Sequence, residues 1–278
     1  MSLQCLSRKE SFSQGDFEGA EGMLAVIKVG GSAITDKNSP YTLRENNLKT
    51  LSERIANLYS KGVSLLIVHG GGSFGHPTAA KYGLSAGGIS LEKAFGFAET
   101  RYWMSYLNLQ VVEKLLSKGI PAVGIQTSAI AVSMNGIMRK LDVEIVRMFL
   151  ERLIVPVLYG DAVIDTVRGL SILSGDDIAS YLAVELKADT LVFVMGSGGV
   201  YDRPPGQPGA KLLPAIRPGS TLPESTEAGI DVTGGLAHKL ECAFKAVKSG
   251  VRVAIGGLQY LEEMVYGIEA PYTRVLPD

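Results

Sequence analysis

Two lysines in this chain stand next to glycine pairs, in Lys28-Val-Gly-Gly-Ser32 and in Thr233-Gly-Gly-Leu-Ala-His-Lys239. Between them in sequence lies His69-Gly-Gly-Gly-Ser-Phe-Gly-His76. Glycines lack a Cβ, so their backbone N–H groups can approach phosphate oxygens closely, and Ser32 and Ser73 add hydroxyl donors. Gly30, Gly31, Gly71, Gly72 and Gly235 are therefore candidate anion contacts. Lys28 and Lys239 can supply positive charge to a transferring phosphoryl group. The Lys28 stretch matches neither the GxxxxGK[ST] phosphate loop nor the GxGxxG dinucleotide fingerprint. His76 is expected on the first turn of the helix after the triple glycine, facing the same anion, where an imidazole can donate to phosphate. His69, at the strand end, reads as a packing group. Each motif also has a plainer reading: a turn beside a solvated lysine, or a histidine of the core.

Carboxylates complete the set. Tyr159-Gly-Asp161 and Ser174-Gly-Asp-Asp177 place acidic groups near further glycines. Either Ser174 or Asp176 can cap a following helix. Asp176 can also hold lysine ammonium groups in place and keep them charged.

The elements that would position these residues follow from apolar spacing. Strands are expected over 23–29, 63–69, 120–125, 154–159, 190–195 and 251–255, with a last edge strand over 272–276. Helices are expected over 43–60, 91–118, 143–152, 176–186 and 233–249, and a hairpin joins 162–164 to 170–173 through Arg168-Gly169. The proline- and glycine-rich stretch 197–225 reads as a long loop with at most short strands. Alternating strands and helices predict an α/β three-layer αβα sandwich on a largely parallel sheet, whose ligands bind beyond the strand carboxyl ends. Strand after strand runs into glycine there: Gly30, Gly70, Gly160, Gly196 and Gly256.

With 278 residues, 46% apolar and 20% charged, the chain can bury a sizeable core. Residues 1–22 are polar, without an apolar signal segment, and read as a flexible N-terminal extension ahead of a single domain over 23–278. A net charge of −1 gives no sign of nucleic-acid binding or a polybasic membrane surface, and the apolar runs are strand-length. Cys5 and Cys242 form neither a disulfide framework nor a metal-ligand spacing, which makes a cytoplasmic setting the expectation.

On these motifs the chain resembles the amino acid kinase superfamily and, within it, the archaeal-type isopentenyl phosphate kinases. The matching stretches are IKVGGSAITDK (27–37), HGGGSFGHP (69–77), IPAVGIQ (120–126), YGD (159–161), SGDD (174–177) and DVTGG…K (231–239). The resemblance implies transfer of phosphate from ATP to isopentenyl phosphate, giving isopentenyl diphosphate, with Mg²⁺ carried by the ATP rather than by a protein metal site. It implies an acceptor half over about 23–160, a nucleotide half over about 161–278, and a homodimer. Carried over, Lys28 and Lys239 neutralise the transferring phosphoryl, Asp176 holds them, and His76 binds the acceptor phosphate. Lys37 reaches the ATP phosphates, with Gly30, Gly31, Ser32, Gly72, Gly196 and Gly235 on the nucleotide side. Gly71 and Gly160 contact the acceptor, whose prenyl tail would meet Phe95, Ala162 and Ile172. One departure stands out: where the family reads TDVDG, this chain has Met195-Gly-Ser-Gly-Gly199, without either acidic residue. Two other readings remain: a kinase of the same fold with a fosfomycin-like or amino-acid acceptor, and a non-catalytic nucleotide or anion sensor.

Overall fold

The computed structural model describes residues 22–220 and 235–278. Strand β1 (Leu24–Val29) leads through α1 (Gly31–Ile34) to α2 (Glu45–Ser60), then β2 (Ser64–His69), α3 (Gly72–Lys81) and α4 (Leu91–Leu116). Next come β3 (Ala122–Gly124), α5 (Thr127–Ile130), β4 (Ala131–Met134), β5 (Ile137–Leu141), α6 (Val143–Leu150) and β6 (Val155–Tyr159). The hairpin β7 (Asp161–Asp165) and β8 (Gly169–Leu173) follows, then α7 (Gly175–Glu185), β9 (Thr190–Val194) and β10 (Ala215–Ile216). The chain ends with α8 (Gly235–Lys248), β11 (Arg252–Gly256), α9 (Leu261–Tyr266) and β12 (Thr273–Val275). The extension read over 1–22 lies, apart from Gly22, outside the described residues, as do Asp231 to Gly234 of the second glycine-lysine motif.

The main sheet has the order β10-β12-β11-β9-β1-β2-β6-β3. From β11 to β3 the strands run parallel. Two cores enclose it, one under α2, α4 and α9, the other under α6, α7 and α8. This is the three-layer α/β sandwich that the alternating pattern predicts, and the central strands read as unbroken apolar runs because both faces are covered. Side chains alternate along β1, so Ala25, Ile27 and Val29 enter the first core while Val26 enters the second. Lys28 shares the face of Val26. It therefore points toward α7 and α8, the helices that carry Asp176 and Lys239.

Two expectations are corrected. Strand β12 is not the sheet edge: β10 pairs with it, Ala215 opposite Arg274. A two-residue strand is too short to show any periodicity. The expected hairpin over 162–173 is β7–β8, but it belongs to a second, four-stranded sheet, β5-β4-β7-β8, whose β4–β5 hairpin does not follow from apolar spacing. Its signal was the dipeptide Asn135-Gly136 between apolar flanks; both residues have positive φ, 55° and 83°, as a tight two-residue hairpin requires.

Asp165 ties the two hairpins of this sheet together. Its carboxylate accepts from the N–H groups of Asn135, Gly136, Val167 and Arg168 and from the Ser133 hydroxyl, at 2.7–3.0 Å. The group is buried. Burial alone would raise its pKa, but these donors outweigh it and hold the carboxyl well below the usual range. A depressed carboxyl pKa contributes stability above the unfolded-state value and loses it as pH falls. Asp165→Ala is therefore expected to cost about 3 kcal/mol in urea unfolding at neutral pH. The difference from wild type should narrow once pH drops below about 4.

Candidate active site

Register sets the floor of the site. Val29 pairs with His69 and Val194, His69 with Tyr159, and Val194 with Gly256, so the carboxyl ends of the parallel strands finish level. The ladder continues one step into the loops: Gly30 N–H donates to Val194, Gly70 to Val29, Gly160 to His69 and Met195 to Gly256, at 2.8–3.0 Å. The recurrent glycines thus form one row along this edge.

Beneath the row, Lys28 Nζ lies 2.7 Å from Asp176 Oδ1, and Lys239 Nζ lies 2.8 Å from both carboxylate oxygens. All three side chains are nearly closed to solvent, with residue exposures of 7%, 4% and 8%. Ser174, not Asp176, caps α7, its hydroxyl accepting from the Asp176 N–H at 3.1 Å. The Asp176 side chain is thereby left to the lysines. Burial would raise its pKa, but the charges of Lys28 and Lys239 overcome this and keep it ionised. Lys239 is pulled down to about 8 by burial first and by repulsion from Lys28 second, partly countered by Asp176. Two ammonium groups and one carboxylate leave the cluster one positive charge in excess. A buried excess charge favours an anionic ligand.

Over Lys28 opens a cleft, partly open to solvent, where Gly31, Gly70, Gly71, His76, Gly160 and Gly175 meet the apolar side chains of Ala79, Met104, Ala162, Ile172 and Leu173. His76 opens the second turn of α3 rather than lying on the first, because the helix winds up the glycine cluster itself from Gly72. Pro77 leaves the Ser73 carbonyl without a helical partner, and the Tyr41 N–H takes it at 3.2 Å. Gly31 and Gly72 touch backbone to backbone: a Cβ on Gly31 would overlap the Gly72 nitrogen. These two glycines serve packing of the loops against each other as well as exposing N–H groups.

A second, open pocket lies beyond β9 and β11, lined by Gly196, Ser197, Gly198, Tyr201, Gln259 and Tyr260 among others, none of them charged. Ser32 adjoins it, since a Cβ on Gly196 would meet its oxygens at 3.4 Å. The loop after β1 therefore touches both cavities, Gly31 in one and Ser32 beside the other.

Phe95, Lys37 and Gly235 are among the expected residues that line neither cavity. Phe95 is 63% exposed on α4 and tilts against Tyr82 at 6.3 Å between ring centroids. Lys37 is exposed on the turn after α1, and Gly235 begins α8. Helical spacing alone could not tell which face of α4 meets the cleft; Thr100 and Met104 do.

The role of Thr35 and the partners of His69 and Asp161 escaped the sequence reading, whereas His69 is the packing group expected at the strand end. The Thr35 hydroxyl donates to the Gly31 carbonyl at 2.9 Å and accepts from the Ser73 N–H at 3.1 Å, joining the two glycine loops. His69 is held neutral: Asn108 Nδ2 donates to its Nε2 at 3.1 Å, its Nδ1–H faces the Gly70 carbonyl at 3.1 Å, and burial lowers its pKa to about 4. Asp161, at the cleft wall, is raised to about 7 by burial, against the pull of Arg101 at 3.0 Å. The family motifs contained Thr35, His69 and Asp161, but their partners Asn108 and Arg101 sit on α4, remote in sequence.

The Lys239 proton gives the site a pH dependence. Above about 8 the side chain loses charge, so anion affinity should fall as pH rises. Affinity for sulfate, measured by calorimetry, is expected to drop toward tenfold per pH unit beyond that point, and Lys239→Met should abolish the slope.

The family model described as "Amino acid kinase family" matches residues 23–257. An isopentenyl phosphate kinase of Methanothermobacter thermautotrophicus is 36% identical over 91% of this chain and 98% of the relative, and one of Arabidopsis thaliana is 32% identical over 83% and 86%. Among solved structures, an isopentenyl phosphate kinase superposes with a TM-score of 0.79 at 33% identity over 91% of this chain and 99% of that one. A Thermoplasma acidophilum isopentenyl phosphate kinase product complex follows with 0.77 at 26% identity, over 91% and 100%. With the level strand ends, the glycine row and the lysine–aspartate cluster lying inside the matched span, the chain belongs to the amino acid kinase family.

Proposed function

We propose that this protein transfers the γ-phosphoryl group of ATP to isopentenyl phosphate, forming isopentenyl diphosphate and ADP. The observation that carries the reading is the buried Lys28–Asp176–Lys239 cluster, one positive charge in excess, beside a cleft lined by His76, glycines and apolar side chains. The acceptor phosphate fits against His76 and the Gly71 N–H, with the bare Cα of Gly160 leaving room beside it. The isopentenyl tail fits the wall of Ala79, Met104, Ala162 and Ile172. Because β7 and β8 supply much of that wall, the acceptor half in this reading extends to about Gly175 rather than stopping at 160.

ATP takes the other side. The uncharged cavity at Gly196 to Gly198 suits a nucleoside, with Tyr201, Gln259 and Tyr260 as hydrogen-bond partners in place of the family's missing carboxylates. The triphosphate then runs over Gly30, Gly31 and Ser32 toward the lysines. Phosphoryl transfer needs in-line positioning and charge neutralisation more than covalent help. The attacking phosphate oxygen is already anionic, so no general base is required. Lys28 and Lys239 counter the charge that develops on the equatorial oxygens, and Asp176 fixes their positions. Asp176 is committed to two lysines and Asp161 to Arg101, so Mg²⁺ fits as an ion held by the ATP phosphates and water. A cytoplasmic homodimer completes the reading on the family resemblance. No described helix is long and apolar enough to cross a membrane.

ADP release should be fast with isopentenyl phosphate and at background with fosfomycin or glutamate; the reverse order overturns the acceptor assignment. Lys28→Ala should lower turnover ~100-fold, about 3 kcal/mol of barrier, with acceptor binding largely retained. His76→Ala should act mainly on the KM for isopentenyl phosphate, as expected for a group bound to the acceptor before and during transfer.

A further inference from the structure

On the far side of the same two helices, three side chains of metal-ligand type meet. Asp177 follows Asp176 in the first turn of α7; His238 precedes Lys239 on α8, and Cys242 lies one turn further along. His238 Nε2 is 2.9 Å from Asp177 Oδ2, Cys242 Sγ is 3.5 Å from Asp177 Oδ1, and Sγ is 3.7 Å from Nε2. A ligand atom from each lies within 4.8 Å of the others. Cysteine spacing in the sequence could not show this, because two of the three ligand types are not cysteine and one comes from another helix.

We propose that Asp177, His238 and Cys242 form a binding site for a thiophilic divalent cation of the zinc class, with a fourth position left to water. Tetrahedral zinc with the usual bond lengths to sulfur, nitrogen and oxygen puts its ligand atoms about 3.3 Å apart for nitrogen and oxygen and about 3.6 Å apart for sulfur with either. The observed separations, with His238 measured to one Asp177 oxygen and Cys242 to the other, differ from these by no more than about 0.4 Å. A mixed thiolate, imidazole and carboxylate set favours zinc or cobalt over magnesium or calcium. Access is also provided: the side chains of His238 and Asp177 are 27% and 31% exposed, while Cys242 closes the inner side. On binding, the cation replaces the Cys242 thiol proton and the proton that His238 Nε2 donates to Asp177; both leave to solvent, the imidazole keeps its Nδ1–H, and no electron transfer is involved. An ion here bridges α7 and α8 one residue away from the Asp176–Lys239 contact, and so clamps the helices that form it. The inference does not depend on which reaction the neighbouring site performs.

The test uses the full-length chain, stripped of metal and titrated with Co²⁺. One equivalent should give a thiolate-to-cobalt charge-transfer band and the intense visible bands of tetrahedral cobalt, both removed by Zn²⁺. Cys242→Ser should lose the charge-transfer band, Cys5→Ser should keep it, and His238→Ala should weaken Co²⁺ binding at least tenfold. Should Cys242→Ser fail to fold, His238→Ala, at a partly exposed position, decides alone. Absence of the band in wild type, its survival in Cys242→Ser, or unchanged affinity in His238→Ala overturns the site.

Discussion

Two ammonium groups buried close together repel, and in a medium of low effective dielectric that repulsion separates them or strips one of its proton. Here a single carboxylate holds both within 2.8 Å of its oxygens. The rest of the molecule is arranged so that this contact can exist. Alternation along β1 turns Lys28 toward α7, the Ser174 cap leaves the Asp176 side chain unused by the helix terminus, and the packing of α8 on α7 delivers Lys239. Removing one partner of a buried ion pair generally costs 3–5 kcal/mol, on the order of a third or more of a domain's total stability. The same cluster therefore serves folding and, through its surplus charge, the attraction of an anion.

The glycine loops answer to two demands at once. Phosphate recognition asks for bare N–H groups, whereas the level strand ends bring neighbouring loops into direct backbone contact. Gly31 against Gly72 meets both demands, and the Thr35 hydroxyl fixes their relation from below. A site assembled this way is rigid before any ligand arrives. That pre-organisation suits a reaction whose catalysis consists of placing charge rather than making covalent bonds.

Much of this was legible in the amino-acid order. Apolar runs ending in glycine marked the parallel strands and their common edge, and the motifs identified Lys28, Asp176 and Lys239 before any contact was seen. What could not be read was direction. Phe95 and Thr100 lie on the same helix, and only tertiary packing decides that Thr100 faces the cleft while Phe95 faces solvent. Strand β10 was too short for a pattern. The β4–β5 hairpin was signalled by Asn135-Gly136, a local turn rule, rather than by the spacing rule that found the long helices and the central strands. Asn108 and Arg101 brace the site from α4, and pairings at that sequence distance leave no trace in one chain's periodicity.

The central claim is that both lysine ammonium groups converge on the phosphoryl group in flight. A crystal structure with ADP, aluminium fluoride and isopentenyl phosphate tests it most directly. The account predicts the fluoride-bearing group between the two ligands, with Lys28 Nζ and Lys239 Nζ each within about 3.2 Å of it and Asp176 still touching both. A trapped group that neither lysine contacts, or an acceptor phosphate bound away from His76, would contradict it.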